Sequence, residues 1–188
     1  AEIRDYTYPM AKEVQPRDSA IDALGLLQDP RAADLLLGIL QNDKEDTKLR
    51  CLAARALRGL KNDERGLDAL IHALKSKNTY LRRNVADILG SHPVQIRVVS
   101  HLNAALNDKD AYVRARAAAS LGYIGDPSAV DPLIEALGDQ EELVISKAAH
   151  SLGSLKDPRA VEALIPLLGD ERGKIATTAR RALQKITM

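Results

Sequence analysis

Val113 to Gly138 has the sequence VRARAAASLGYIGDPSAVDPLIEALG, two short helical patterns separated by an Asp-Pro pair. The same arrangement returns 31 residues later in Val144 to Gly169, VISKAAHSLGSLKDPRAVEALIPLLG, again with Asp-Pro between its two halves. A stretch that recurs at a fixed spacing is typical of a repeat protein. The chain is therefore predicted to be built from one repeated supersecondary unit.

Two ladders of leucine show how far the repeat extends. A marker leucine near the end of the first helical pattern recurs every 31 to 33 residues, at Leu24, Leu57, Leu89, Leu121, Leu152 and Leu183. A second marker leucine, in the second pattern, recurs in step at Leu40, Leu74, Leu106, Leu137 and Leu168. Two independent ladders with one period indicate that nearly the whole chain repeats.

Within each unit the first pattern is that of an amphipathic helix. Val113, Ala117, Leu121 and Ile124 form one apolar stripe at helical spacing, so Leu121 is expected to be buried. The small residues of this helix, such as Ala117 and Ala118, should let neighbouring helices approach closely. The glycine after the marker leucine, Gly122 in this unit, is expected near the helix end, where glycine tolerates a left-handed backbone.

The Asp-Pro pair predicts the start of a second helix. An aspartate side chain accepts hydrogen bonds from free backbone N–H groups at a helix start, and proline suits the first helical position. In the second unit Asn62-Asp63 stands at this place, and in the third Ser91-His92-Pro93 does. Each unit is thus predicted to be a helical hairpin. Because one hairpin cannot bury both its apolar faces, the hairpins must stack.

The repeated pattern of Val113–Leu137 resembles the HEAT repeats of the phycobilisome-lyase-like class, and the resemblance covers about residues 16 to 188. It implies an all-α fold, a right-handed α-solenoid of about five and a half stacked antiparallel helix pairs. Residues 1–15 do not match and are either a lead-in or the remnant of a preceding repeat. We predict one repeat domain divided at about 16–45, 46–77, 78–109, 110–140 and 141–171, with a terminal helix at 172–188.

Composition limits the functions to be considered. With 45% apolar and 28% charged residues and no apolar run of membrane-spanning length, the chain is expected to be globular and soluble. A net charge of +1 provides no field that would attract nucleic acid or an anionic membrane. Cys51 is the only cysteine, which excludes an intrachain disulfide and fits a cytoplasmic location.

The second helices carry a polar ladder. Counting back from the second marker leucine, the ninth residue is mostly arginine and the sixth mostly acidic, and residues three apart are neighbours on one helix. The resemblance places the second helices on the concave face, and therefore this ladder in the groove. Such a ladder is either a solvated stripe of weak ion pairs or a surface for a protein partner.

The third unit departs from the pattern and is where specificity is expected. Asn103 falls where other units have leucine or isoleucine, and His101 where they have small or apolar residues. His72 and Glu135 occupy a position, two before the second marker leucine, that is otherwise small. The predicted partner-binding residues are Arg31, Asp34, Arg65, Asp68, His72, Arg97, His101, Asn103, Asp131, Glu135, Arg159 and Glu162.

No catalytic, metal or cofactor site is predicted. The di-iron hydroxylases that resemble this solenoid use His-Glu pairs, and none of the four histidines here is followed by Glu. His92 and His101 flank the irregular third unit and could approach each other. Cys51 is expected at a partly exposed position without a local triad to activate it.

Two sets of arginines remain. The first helices carry a recurrent arginine that, in the resembling repeats, bridges neighbouring units through loop carboxylates, and Asp108 or Asp110 could serve here. The densest basic region, which could contact nucleic-acid phosphates, has acidic residues nearby in sequence and no interleaved aromatics. The recurrent arginines are Arg17, Arg50, Arg82 and Arg114, and the basic region is Arg50, Arg55, Arg58, Lys61, Arg82 and Arg83.

The leading hypothesis is therefore a non-enzymatic cytoplasmic scaffold that binds a protein partner on the concave face. The class name allows a bilin lyase-like chaperone or enzyme subunit, although we recognise no chromophore-handling residues. A nucleic-acid-binding HEAT protein is a weaker alternative. The last alternative is a purely structural or designed array of repeats, and the irregular third unit argues against it.

Overall fold

The computed structural model describes residues 16–60, 64–91 and 96–188, and all regular secondary structure in these ranges is helical. Numbered in chain order, the first helices of the units are α1 (Pro16–Leu27), α3 (Thr47–Gly59), α5 (Thr79–Gly90), α7 (Ala111–Ile124), α9 (Glu142–Leu155) and α11 (Gly173–Thr187). The second helices are α2 (Ala33–Gln41), α4 (Glu64–Ala73), α6 (Val99–Ala105), α8 (Val130–Glu135) and α10 (Val161–Leu164). Short 3₁₀ turns adjoin the second helices at Pro30–Ala32, Ile96–Val98, Pro127–Ala129, Ala136–Gly138, Pro158–Ala160 and Ile165–Gly169.

The helices stack in two rows, which confirms the predicted all-α solenoid. Each first helix contacts the first helix of the next unit, from α1 with α3 to α9 with α11. Each second helix contacts the following first helix, as α2 does α3 and α8 does α9. The core is therefore a continuous strip between the rows, as stacked repeats require.

The marker leucines lie in this strip as predicted. Leu121 is completely buried, and so are the equivalent Leu89 and Leu152. The second marker leucines are also buried as far as Leu137, whereas Leu168 is 38% exposed. The assigned helical register is confirmed at Leu121, because a stripe displaced by one position would turn this leucine away from the core.

The Asp-Pro turns cap the second helices as expected. The carboxylates of Asp29, Asp126 and Asp157 accept hydrogen bonds of 2.8 to 2.9 Å from the backbone N–H two residues further along. The proline after each aspartate begins a 3₁₀ turn that leads into the α-helix. Asn62-Asp63 and His92-Pro93, the corresponding positions of the second and third units, lie outside the described residues.

The glycines after the first marker leucines allow close helix packing, not the left-handed backbone that was predicted for them. Gly90 is the last residue of α5 and Gly122 lies in the last turn of α7, near the helix ends as predicted. Neither has a left-handed backbone, and the left-handed residue that ends α7 is Gly125, with φ 76°. A Cβ on Gly122 would collide with Ser151 of α9, whose Cα would be only 2.9 Å away. Ser151 Oγ donates a 2.8 Å hydrogen bond to the carbonyl of Ala118 across the same contact. Close helix approach, not a left-handed backbone, therefore explains these glycines.

Replacing Gly122 with alanine should destabilise the protein even though alanine favours helix by about 1 kcal/mol. The added methyl group must push α7 and α9 apart, which we expect to lower the free energy of unfolding by about 1 to 3 kcal/mol. Gly38→Ala is the matched control, since Gly38 lies in α2 with open space around it and should gain about 0.5 to 1 kcal/mol. Urea unfolding of both variants measures these changes, and a shift of the same sign in both would contradict the assignment.

Candidate binding surface on the second helices

The predicted partner-binding residues form one surface, which we call the second-helix face. Each lies on a second helix or on the 3₁₀ turn that leads into it. All are exposed except His101 and Asn103, which are half-buried. In chain order they are Arg31, Asp34, Arg65, Asp68, His72, Arg97, His101, Asn103, Asp131, Glu135, Arg159 and Glu162.

Three arginines of the polar ladder pair with an acid of the preceding unit, whereas Arg31 pairs with Asp29 of its own turn. Arg65 Nη1 lies 2.7 Å from Asp34 Oδ1 of the preceding unit. Arg97 pairs in the same way with Asp68 at 3.0 Å. The arginine at the start of one second helix thus faces the acid of the second helix before it. Stacking brings these charges together, so the expected partner three residues away is not the one used.

The same pairing recurs further along and has one interruption. Arg159 lies 3.0 Å from Asp131. Between the third and fourth units both charges are absent, because Ser100 replaces the acid and Ser128 replaces the arginine. Loss of one partner is matched by loss of the other, so the interruption leaves no uncompensated charge.

Three clefts open on the second-helix face, on the two sides of α6. The largest, about 360 Å³, lies between α4 and α6 and brings together Asp68, His72, Arg97 and His101. A smaller cleft of about 150 Å³ adjoins it and is again lined by His101. The third, about 160 Å³, lies between α6 and α8 and is lined by Asn103, Asn107, Pro132 and Glu135, among others. The remaining predicted residues line none of these three clefts.

Asn103 carries the least satisfied polar group of this face. Its amide oxygen is buried and accepts no hydrogen bond from the described residues. Leaving a buried acceptor unpaired costs about 1 to 3 kcal/mol, so such groups are rare in folded proteins. An amide at a position where other units carry aliphatic residues therefore weakens the fold. Asn103 also lines the cleft between α6 and α8, so its unpaired oxygen lies close to that cleft.

Sequence reasoning missed several cleft residues. Ile71 and Lys75 line both clefts that contain His101. Asn107 lines the smaller of these and the cleft between α6 and α8. Lys75 and Asn107 directly follow the second marker leucine of their units. The predicted binding residues all came from positions before that leucine. The residue after the leucine also lines a cleft, as Lys75 and Asn107 do.

The recurrent first-helix arginines bind loop groups. Arg82 donates to both carboxylate oxygens of Asp108, at 2.7 and 2.9 Å, and to the carbonyl of Ser76 at 2.9 Å. Arg114 likewise joins the carboxylate of Asp139, at 2.6 and 2.8 Å, to the carbonyl of Asp108 at 2.9 Å. Each arginine therefore ties the loop before its unit to the loop after it.

The second loop carboxylate considered, Asp110, belongs to a different arginine. Arg83 Nε donates to Asp110 at 2.7 Å, and the Arg83 guanidinium lies 4.4 Å from the centroid of the Tyr112 ring. These contacts are a charge-assisted hydrogen bond and a cation–π interaction. They hold the start of α7 against α5.

The densest basic region is largely neutralised by ion pairs. Arg50 lies 2.9 Å from Asp43 and Arg55 lies 3.0 Å from Asp22, in addition to the pairs of Arg82 and Arg83. Lys61 lies outside the described residues. Paired guanidinium groups are less available to phosphates, so this geometry lends nucleic-acid binding little support.

The surroundings of Cys51 do not activate its thiol. Cys51 is half-buried, and burial raises the pKa of its thiol to about 11, so the nucleophilic thiolate is scarce at neutral pH. Among the described residues, no three His, Cys, Asp or Glu side chains come together in a way that could hold a metal ion. His92 lies outside those residues, so its distance from His101 is not described. None of the described helices is long and apolar enough to cross a membrane.

Comparison with known families agrees with this architecture. The family model for HEAT repeats matches residues 99–184, and that for the PBS lyase HEAT-like repeat matches residues 16–42. The chain belongs to the HEAT-repeat proteins. No curated protein matches this HEAT-repeat chain.

Solved structures show the same fold at low sequence identity. An engineered protein is similar with a TM-score of 0.65 and 21% identity, over 90% of each chain. A designed armadillo repeat protein in complex with the peptide (KR)4 has a TM-score of 0.61 and 16% identity, over 89% of this chain and 92% of its own. Human deoxyhypusine hydroxylase has a TM-score of 0.56 and 19% identity, over 91% of this chain and 79% of its own.

The lowered pKa of Asp110 makes the stability of the fold depend on pH. Hydrogen bonding from Arg83 lowers the pKa of Asp110 to about 2. A carboxyl group with a lower pKa in the folded state stabilises the fold above its unfolded pKa of about 3.9, and this contribution is lost as the pH falls. The free energy of unfolding should therefore decrease between about pH 4 and pH 2.

Asp110→Asn should flatten this part of the pH profile. Asparagine can still accept the hydrogen bond that Asp110 receives from the Val113 N–H at the start of α7, so the helix cap is retained. Arg83→Gln removes the cause of the lowered pKa and should flatten the profile in the same way. Urea unfolding at a series of acidic pH values measures this. A profile unchanged in both variants would contradict the role of the pair.

Proposed function

We propose that this HEAT-repeat chain is a non-enzymatic cytoplasmic scaffold that binds a protein partner along the second-helix face, centred on the third unit. One observation carries the proposal: clefts open on both sides of α6, and one of them is lined by Asn103, whose buried amide oxygen has no partner among the described residues. A fold that keeps a buried acceptor unpaired is less stable than it could be. A partner N–H that reaches Asn103 would supply the missing hydrogen bond.

The shape of the clefts favours a polypeptide over a small molecule. They are open, and their lining combines charged groups such as Lys75 and Arg97 with a few aliphatic side chains. Small-molecule sites are typically deeper, more enclosed and more apolar. A helix or loop laid across neighbouring second helices would contact all three clefts at once.

Charge along the face would orient the partner rather than hold it. Asp34 and Asp68 are both well exposed and both engaged by an arginine of the next unit. Exposed pairs of this kind contribute about 0 to 1 kcal/mol each and are easily rearranged. Alternating charge along a surface mainly sets specificity and the register of the bound partner.

Two comparisons bear on the proposal. The designed armadillo repeat protein of similar fold binds the peptide (KR)4, which supports a polypeptide as the occupant of a stacked helical surface. The name of deoxyhypusine hydroxylase shows that an enzyme can have this fold. The raised pKa of Cys51 and the unclustered metal-ligating side chains of the described residues favour the scaffold.

Asn103→Leu separates a binding role from a structural one. Leucine restores the aliphatic character of this ladder position, so the free energy of unfolding should rise by about 1 kcal/mol as the unpaired acceptor disappears. Partner binding should weaken in the same variant. A more stable protein with undiminished binding would exclude Asn103 from the interface.

Photocrosslinking identifies the partner and tests the face. A photoreactive residue at Ala104, which is exposed on α6 and lines one of the clefts, should crosslink one protein in extracts of the source cell. The matched control is the same residue at Ala20, an exposed alanine of α1. Binding of the crosslinked protein by the wild type and by Asn103→Leu can then be measured by calorimetry. Crosslinks from Ala20 but not from Ala104 would place the interface on the other row of helices.

A further inference from the structure

A separate cleft opens on the row of first helices, away from the second-helix face. It has a volume of about 230 Å³ and lies between α7, α9 and α11. The side chains that matter for its chemistry are those of Ala119, Ser146, Lys147, His150, Lys174 and Thr178. No carboxylate is among the residues that line it.

The cleft lacks an ion pair that the preceding pair of first helices makes. Between α5 and α7, Asp87 pairs with Arg116 at 2.9 Å. Asp87 lies two residues before its marker leucine and Arg116 five before the next one, so the equivalent pair between α7 and α9 is Ala119 and Lys147. Alanine in place of the acid therefore leaves space and removes the partner of the lysine.

The next pair of first helices lacks this ion pair as well. Between α9 and α11 the equivalent positions are His150 and Thr178, again without a carboxylate. Lys174 of α11 adds a second cation to the cleft. Ser100 and Ser128 carry no charge of either sign, whereas this cleft has cations and no acid.

Several donors in the cleft have no partner. Ser146 is only 6% exposed, and its hydroxyl makes no hydrogen bond with the described residues. The side chains of Lys147, Lys174 and His150 have no hydrogen bond or ion pair within that part of the chain either. A buried hydroxyl without a partner beside unneutralised cations indicates a site for an anion.

We propose that this cleft binds a small tetrahedral oxyanion, a phosphate or phosphate monoester. Lys147 and Lys174 would neutralise its charge, and Ser146 would donate a hydrogen bond to one of its oxygens. Phosphate presents enough acceptor oxygens for donors that converge from α9 and α11. A carboxylate has only two oxygens and would leave some of these donors unpaired.

His150 provides a direct readout of binding. Partial burial, and then the charges of Lys185 and Lys147, lower the pKa of its ring. Lys174 and Tyr123 are the other ionisable groups that line the cleft. A bound anion would oppose the effect of the lysines and raise the pKa of His150.

The test is a titration of the full chain with inorganic phosphate at constant ionic strength. Binding is monitored through the ring resonances of the histidines in NMR spectra. His150 should shift saturably, whereas His72 and His101 on the second-helix face serve as internal controls and should not. Chloride at matched ionic strength should not reproduce the shift, and acetate should do so only weakly. A shift of His150 that chloride reproduces would reduce the effect to charge screening and overturn the proposal.

Variants of the lining then locate the site. Lys147→Gln and Lys174→Gln should each weaken phosphate binding by about fivefold, the value of an exposed ion pair. Lys109→Gln, at an exposed lysine of a distant loop, should leave binding unchanged. Ala119→Asp restores the acid that Asp87 supplies in the preceding pair of helices and should abolish binding while the protein stays folded. Wild-type affinity in Ala119→Asp, or equal losses in the Lys109 control, would overturn the proposal.

Discussion

Neighbouring first helices lie so close together that only small residues fit at their contact. Gly90 faces Ser120, Gly122 faces Ser151 and Gly153 faces Ala182, and a methyl group on any of these glycines would overlap the next helix. The two serines secure the contact with buried hydrogen bonds to backbone carbonyls of the preceding helix. This spacing sets the distance between units. Every other feature that crosses from one unit to the next depends on it.

Charge compensation between units is one such feature. The arginines of the second helices reach the acids of the preceding unit, and Arg82 and Arg114 tie successive loops together. Serine replaces both charges of the ladder at Ser100 and Ser128. At Ala119 there is no acid, and the cleft beside it contains two lysines. A repeat protein thus acquires chemically distinct sites by local departures from its own pattern.

Much of the architecture could be predicted because the same helix and turn patterns recur in nearly every unit. The leucine ladders and Asp-Pro turns required hairpins, and stacking followed because one hairpin leaves an apolar face uncovered. The same reasoning failed for Gly122, where the residue that excludes a side chain, Ser151, is 29 positions away. Sequence reasoning also assigned the arginines to acids on their own helices. Spacing along one helix does not show which side chains of the neighbouring helix lie close to it. The first-helix cleft was missed for the same reason, since Lys147 and Lys174 lie in different units.

The sequence by itself determined the helical hairpin, its period, the residues of the core and the irregularity of the third unit, because each depends on local spacing and on composition. Only the tertiary structure decided which acid each arginine meets, which histidines share a cleft and which hydroxyl is left without a partner. Those relations join residues about 30 positions apart. They depend on the distance and rotation between stacked helices, which small side chains at the contact set and no single repeat encodes.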